Sequence, residues 1–104
     1  MEEIKISMDW SELDNLLFFT DVRLNLAGVS TRQRMEVKFI LEKFFASTMS
    51  AVSMTCRIDA GAQRLAVKVD GAKKQMNFSG LEGLAQASGL TLSPGPNACM
   101  IQWK

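Results

Sequence analysis

The chain has no histidine and no tyrosine, two cysteines, two prolines and no long apolar run. Without histidine there is no imidazole to act as a general base, carry a phosphoryl group or hold a metal. Serine and cysteine nucleophiles that depend on a histidine are excluded with it. Cys56 and Cys99 lie far apart in sequence, a poor spacing for zinc. They read as buried free thiols of a reducing cytosol in preference to a disulfide. No segment approaches the ~20 apolar residues that a helix needs to cross a bilayer. The opening "MEEIKISMDW" is acidic and has no cationic stretch followed by an apolar one, so no export signal is read there. The expectation is a cytoplasmic protein with no membrane partner.

What is present describes an ordinary globular domain. The 104 residues suffice for one core, so 1–104 is read as a single domain. At 47% hydrophobic and 22% charged, the chain has enough apolar content to fold and is not expected to be disordered. The net charge of +1 supplies no bulk field toward nucleic acid or membrane. Trp10 and Trp103 stand at opposite ends and no basic patch is interleaved with aromatics, so no nucleic-acid partner is expected. The charge is nonetheless uneven. Residues 1–21 carry Glu2, Glu3, Asp9, Glu12, Asp14 and Asp21 against Lys5, whereas 57–104 are mostly basic. That asymmetry marks either a docking face or segments that compensate one another.

Hydrophobic periodicity orders the elements. Ile4, Ile6 and Met8 alternate with polar neighbours and predict a strand over 3–8. Ser11 and Asp14 resemble a cap and an acidic first turn, opening a helix over about 11–26. Leu13, Leu16, Leu17 and Val22 are expected on its buried face and Gly28 as its stop. Ser30 and Gln33 have capping-box spacing for a second helix over about 31–51. Val37, Ile40, Leu41, Phe44 and Phe45 follow the spacing of a core-facing stripe. A second strip holds Met35, Phe39, Glu42, Ala46 and Met49, so this helix is either sandwiched or presents one face to a ligand or partner. "SMTCRID" and "RLAVKVD" alternate as two strands joined by "AGAQ", with Gly61 for the turn. "QMNF" is a candidate short strand. Ser79 and Glu82 again have capping-box spacing, opening a helix that Gly89 closes. "LTL" and "ACMIQW" form a last hairpin whose turn Pro94 and Pro96 confine. The order β-α-α-β-β-(β)-α-β-β predicts an α+β two-layer sandwich, a mainly antiparallel sheet with three helices on one face. Trp10 is expected to anchor the first helix on the sheet, and Trp103 to end the last strand against the core.

On this order, with "LAGVSTRQRMEVKFILEKFF", "VKVDGA" and "SGLEGLAQASGLTLSPGPNACMIQW", the chain resembles the GHKL-type ATPase domain of histidine kinases, DNA gyrase and anti-sigma serine kinases. It is most similar to the small anti-sigma type. The resemblance implies a nucleotide pocket in which Glu42 occupies the place of the general base, Asp70 that of the adenine-binding Asp, and Gly71, Gly80 and Gly83 those of the pocket glycines. The chain departs from the pattern where the family has a metal-binding Asn, since Ala46 supplies no oxygen. Asp70-Gly71 is one residue short of the family's Asp-x-Gly turn, and the lid segment is reduced to "AKKQMNFS", with Lys73 and Lys74 as its only cations.

Those departures favour a small regulatory, protein-binding domain that keeps the frame of a signal-transduction ATPase without holding ATP or Mg²⁺, and that is not an enzyme. The partner, a second copy of the chain included, would dock on Met35, Phe39 and Met49, on Phe18 and Phe19, or on a sheet edge. Seven methionines suit such a surface. Two alternatives stay open: an ATP- and Mg²⁺-dependent serine protein kinase of the anti-sigma type, and an unrelated α+β dimeric interaction protein.

Overall fold

The alternation of Ile4 and Ile6 with charged residues produces β1 over Glu2–Ser7, one residue earlier than the pattern suggests. The computed structural model of the chain describes residues 1–72 and 78–104. The candidate strand at "QMNF" falls largely on 75–77, outside the described residues, as do Lys73 and Lys74.

Helix α1 runs over Trp10–Leu26. Its cap is Asp9 and not Ser11: the Asp9 carboxylate accepts hydrogen bonds from the Ser11 N–H at 2.8 Å and the Ser11 hydroxyl at 2.7 Å. The hydroxyl bond, and then the backbone one, hold the Asp9 carboxyl below its ordinary value. The Ser7 hydroxyl donates to Glu12 in the same first turn. The buried stripe is Leu13, Leu16, Thr20 and Leu24. Val22, expected there, is exposed, because nine residues of helix rotate it about 180° from Leu13. The helix stops at Gly28, whose φ of 84° suits glycine. The Gly28 N–H bonds Asn25 O and the Val29 N–H bonds Leu24 O, the paired bonds of a Schellman motif.

Helix α2 runs over Thr31–Ser47. Ser30 caps it, its hydroxyl accepting from the Gln33 N–H at 3.2 Å. The capping box is half made, because the Gln33 side chain turns away and donates to Ser88 O at 3.0 Å. Val37, Ile40, Leu41, Phe44 and Phe45 are all fully buried, as their spacing requires. The helix ends at Ser47, short of the expected boundary at 51. The Thr48 hydroxyl bonds back to Phe44 O at 2.6 Å and the Ala51 N–H bonds Thr48 O, closing a turn that leads into the sheet.

Strands β2 (Ser53–Asp59) and β3 (Arg64–Asp70) form the central hairpin. Gln63, not Gly61, takes the left-handed conformation there, with φ 54°. Its carbonyl accepts from the Trp103 N–H, which ties the hairpin to the end of the chain. Helix α3 covers Ser79–Ala87 with Phe78 at the cap position, one residue before the expected Ser79, and no side-chain hydrogen bond to that cap is present among the described residues. Gly89 closes α3 with the same paired bonds as Gly28. Strands β4 (Thr91–Gly95) and β5 (Ala98–Gln102) follow. Pro94 lies within β4 instead of interrupting it, which an edge strand permits. The turn is Pro96-Asn97, with Asn97 at φ 53°.

All pairings are antiparallel, in the order β1-β2-β3-β5-β4. Helix α1 lies against β1 and β2, α3 against β4, and α2 packs between α1 and α3. One sheet face therefore carries the core: Ile6, Met54, Cys56, Ile58, Leu65, Val67, Cys99 and Ile101 are buried with the inner stripes of the helices. This is the α+β two-layer sandwich that the element order implies. Trp103 is buried against it. Trp10 is 52% exposed and leans on Phe45 of α2, ring centroids 4.7 Å apart.

Candidate functional site

The two carboxylates of the nucleotide reading are far apart in character and position. Glu42 follows the buried Leu41 on α2 and is exposed, on the helical side of the sheet. Asp70 ends β3 one residue after the inward-facing Val69, so its side chain leaves the opposite face. There its carboxylate accepts from the Ser53 hydroxyl at 3.5 Å, while its carbonyl accepts from the Val52 N–H at 2.7 Å. The sheet lies between the two. Gly71 has a backbone reason to be glycine: its φ is 80°, and a Cβ would meet Val52 Cγ2 at 3.0 Å. A Cβ on Gly80 or Gly83 would meet nothing within 4 Å, so neither is held by packing.

Among the described residues no three His, Cys, Asp or Glu side chains gather where a cation could sit. Ala46 is exposed and offers no ligand atom. Among the described residues, Ala46 and the separated Glu42 and Asp70 assemble no donor set for an ATP–Mg²⁺ group. The thiols are no substitute nucleophile. Cys56 and Cys99 are free and buried, and burial pushes both up to about 12. The Thr20 hydroxyl, 3.7 Å from Cys56 Sγ, opposes that shift only in part.

Charge compensation accounts for half of the acidic first segment. Arg57 bonds Glu3 at 2.5 Å, Arg23 pairs with Glu2 at 3.1 Å, and Arg34 pairs with Asp21 at 3.0 Å. These pairs join residues remote in sequence, which is why the segments look unbalanced when read separately.

The second strip of α2 is not sandwiched. Met35 is 67% exposed, and Phe39 and Met49 are exposed with it. Across from it on α1, Phe18 is 60% exposed, whereas Phe19 is half-buried beneath the Arg23 guanidinium, 3.7 Å from its ring centroid. Between the helices runs a groove of about 460 Å³ with Leu17, Thr20, Leu24 and Leu41 in its lining. Asp14, Phe18 and Asp21 form its α1 rim, and Arg34, Met35 and Lys38 its α2 rim. Arg34 is locked in place by Asp21, Val29 O at 2.7 Å and the Thr31 hydroxyl at 3.4 Å. Asp14 and Lys38 are exposed and have no ion-pair partner among the described residues. Apolar periodicity singles out neither. The i, i+4, i+7 spacing of Asp14, Phe18 and Asp21 is the available signal, and it becomes visible once the helical period is applied to charges as well as to apolar residues.

Glu42, Asp70, Gly71, Gly80 and Gly83 line neither this groove nor the two smaller clefts on the open sheet face near Arg57. No protein-family model matches the chain, and no curated protein matches it.

Proposed function

We propose that the chain is a small regulatory, protein-binding domain on the frame of a GHKL-type ATPase, working without ATP–Mg²⁺ through the outer surface of its α1–α2 hairpin. One observation carries this reading: Phe18 and Met35 stand exposed on the charged rims of a groove, with Phe39 exposed one turn beyond Met35, while Glu42 and Asp70 lie on opposite sides of the sheet. Exposed aromatic and methionine side chains on one face are the composition of an adaptable contact surface. Catalysis by positioning needs the reacting groups on one side of one pocket.

The test is a thermal melt with millimolar ATP and Mg²⁺. A ligand present at 100 times its Kd stabilises by about 2.7 kcal/mol, a rise of roughly 10–20 °C for a domain of this size. The expected result is no rise. A reproducible rise that Asp70→Ala removes overturns the reading in favour of the serine protein kinase, with Glu42 as its base.

A further inference from the structure

We infer that the partner seated on the α1–α2 groove is a second copy of the same chain, packed about a two-fold axis that runs roughly along the helices. The inference rests on the binding reading above and adds the identity and orientation of the occupant. The groove has rims of opposite sign. The α1 rim presents Asp14 and Asp21 around Phe18; the α2 rim presents Arg34 and Lys38 around Met35. A surface with one acidic and one basic edge is complementary to itself, provided the symmetry sets unlike edges together.

Symmetry leaves two extreme arrangements for two helical hairpins placed face to face. An axis lying across the helices puts α1 on α1 and α2 on α2, acid facing acid and base facing base. An axis along the helices puts α1 of each copy on α2 of the other, which opposes acid to base on both edges. The charges therefore select the second arrangement. Because α1 and α2 are antiparallel in the hairpin and Asp21 lies level with Arg34, Lys38 falls near the height of Leu17 and Phe18. From there, Lys38 on one copy reaches Asp14 of the other, and Met35 meets the Phe18 edge. Asp21 and Arg34 already neutralise each other within the chain, so Asp14 and Lys38 are the unpaired charges of the groove rims themselves, with Glu42 exposed a turn further along α2.

The size is sufficient. Each helix has 17 residues, about 25 Å of length, and neighbouring helices sit about 10 Å apart. Two such helices side by side, each about 10 Å across, present a face of about 500 Å² in projection and more in accessible area, approaching the ~800 Å² that each partner gives to a standard interface. Phe18, Met35 and Phe39 supply its apolar content, and all three are exposed in the single chain.

The experiment uses the full chain with Asp14→Lys and Lys38→Glu, two exposed positions whose folding is verified by circular dichroism. Sedimentation velocity is run from low micromolar to near-millimolar concentration. The wild type is expected to dimerise. Each single variant alone should dimerise about tenfold more weakly or worse, since each dimer then holds two repelling pairs in place of two attracting ones. The decisive arm mixes the two variants. There the Asp14→Lys copy faces the Lys38→Glu copy with both pairs attractive, one reversed in sign and one native, so the mixture dimerises at concentrations where each variant alone is mainly monomeric. A wild type that is monomeric throughout overturns the inference, and so does a dimer indifferent to both reversals or a mixture that stays monomeric. None of these outcomes bears on the nucleotide melt, so failure of the pairing is distinguishable from failure of the binding reading.

Discussion

Phe78→Ala should be among the most damaging single changes outside the central stripe of α2. Phe78 caps α3, is 6% exposed, and stacks on Phe44 with centroids 5.9 Å apart and rings inclined by 27°. Phe44 itself is fully buried. The stack fastens the start of α3 to α2. The other end of α3 is fastened by Gln33 and Arg32, whose side chains donate to Ser88 O and Ala87 O. Removing a buried phenyl costs about 3–5 kcal/mol through lost burial and the cavity left behind. About 0.5–1.5 kcal/mol of that belongs to the aromatic pair. A domain of this length has roughly 5–15 kcal/mol in total, so the variant loses a large share of its stability. At about 4–8 °C per kcal/mol, calorimetry should place its melting roughly 12 °C or more below the wild type. Phe78→Leu keeps most of the apolar volume and should lose about 1–2 kcal/mol. A double-mutant cycle with Phe44→Leu should return a coupling of about 0.5–1.5 kcal/mol. A Phe78→Ala chain that melts with the wild type would refute the packing of α3 on α2.

Three further outcomes follow from burial and exposure. The thiols should be silent toward a thiol reagent at neutral pH in the folded chain and react, both of them, once it is denatured. Their folded values, raised from 9.0 to about 12, contribute stability that is complete below pH 9 and is lost as pH rises toward 12. The unfolded chain releases those protons first, so the slope is about 1.4 kcal/mol per pH unit per thiol. Cys99→Ala should make the alkaline decline of the melting temperature shallower, and an unchanged slope would contradict the burial of that thiol. Glu42→Ala removes an exposed charge and should move stability by less than about 0.5 kcal/mol, read from a urea titration; a larger loss would mean that the carboxylate is built into the fold.

The helices are the most readable elements, because their signals are local. The inner stripe of α2 repeats at the helical period, and the glycine stops at 28 and 89 act through bonds to the turn just before them. The departures from expectation also have local causes. Val22 has the apolar character of a core residue, yet nine residues of rotation set it opposite Leu13. Ser and Asp both suit a helix cap, and Asp9 takes that place by accepting two bonds from Ser11 itself. Gln33 has the spacing of a capping box, but the Ser88 carbonyl after α3, 55 residues away, competes for its amide.

The candidate site is legible in the sequence only as a set of residue types. Phe18, Met35 and Phe39 can be named as off-stripe residues on their helices, but their exposure depends on what packs beside those helices. The groove exists because α1 and α2 pair with each other, and its charged rims are meaningful only in that pairing. Asp70 is the clearest case of long-range control. Strand alternation says that it points away from Val69, but only the placement of all three helices on the Val69 side makes that direction the open face.

From the order of residues alone come the sequence of the described elements, the core stripe of α2 and the alternation of the strands, because these follow from the backbone period and from contacts a few residues long. The assembled layers settle which apolar strip stays in water, which acidic residue meets which base, and that Glu42 and Asp70 face solvent on different sides of one sheet. Such relations join positions tens of residues apart, and no periodicity along a single chain specifies what will be packed opposite.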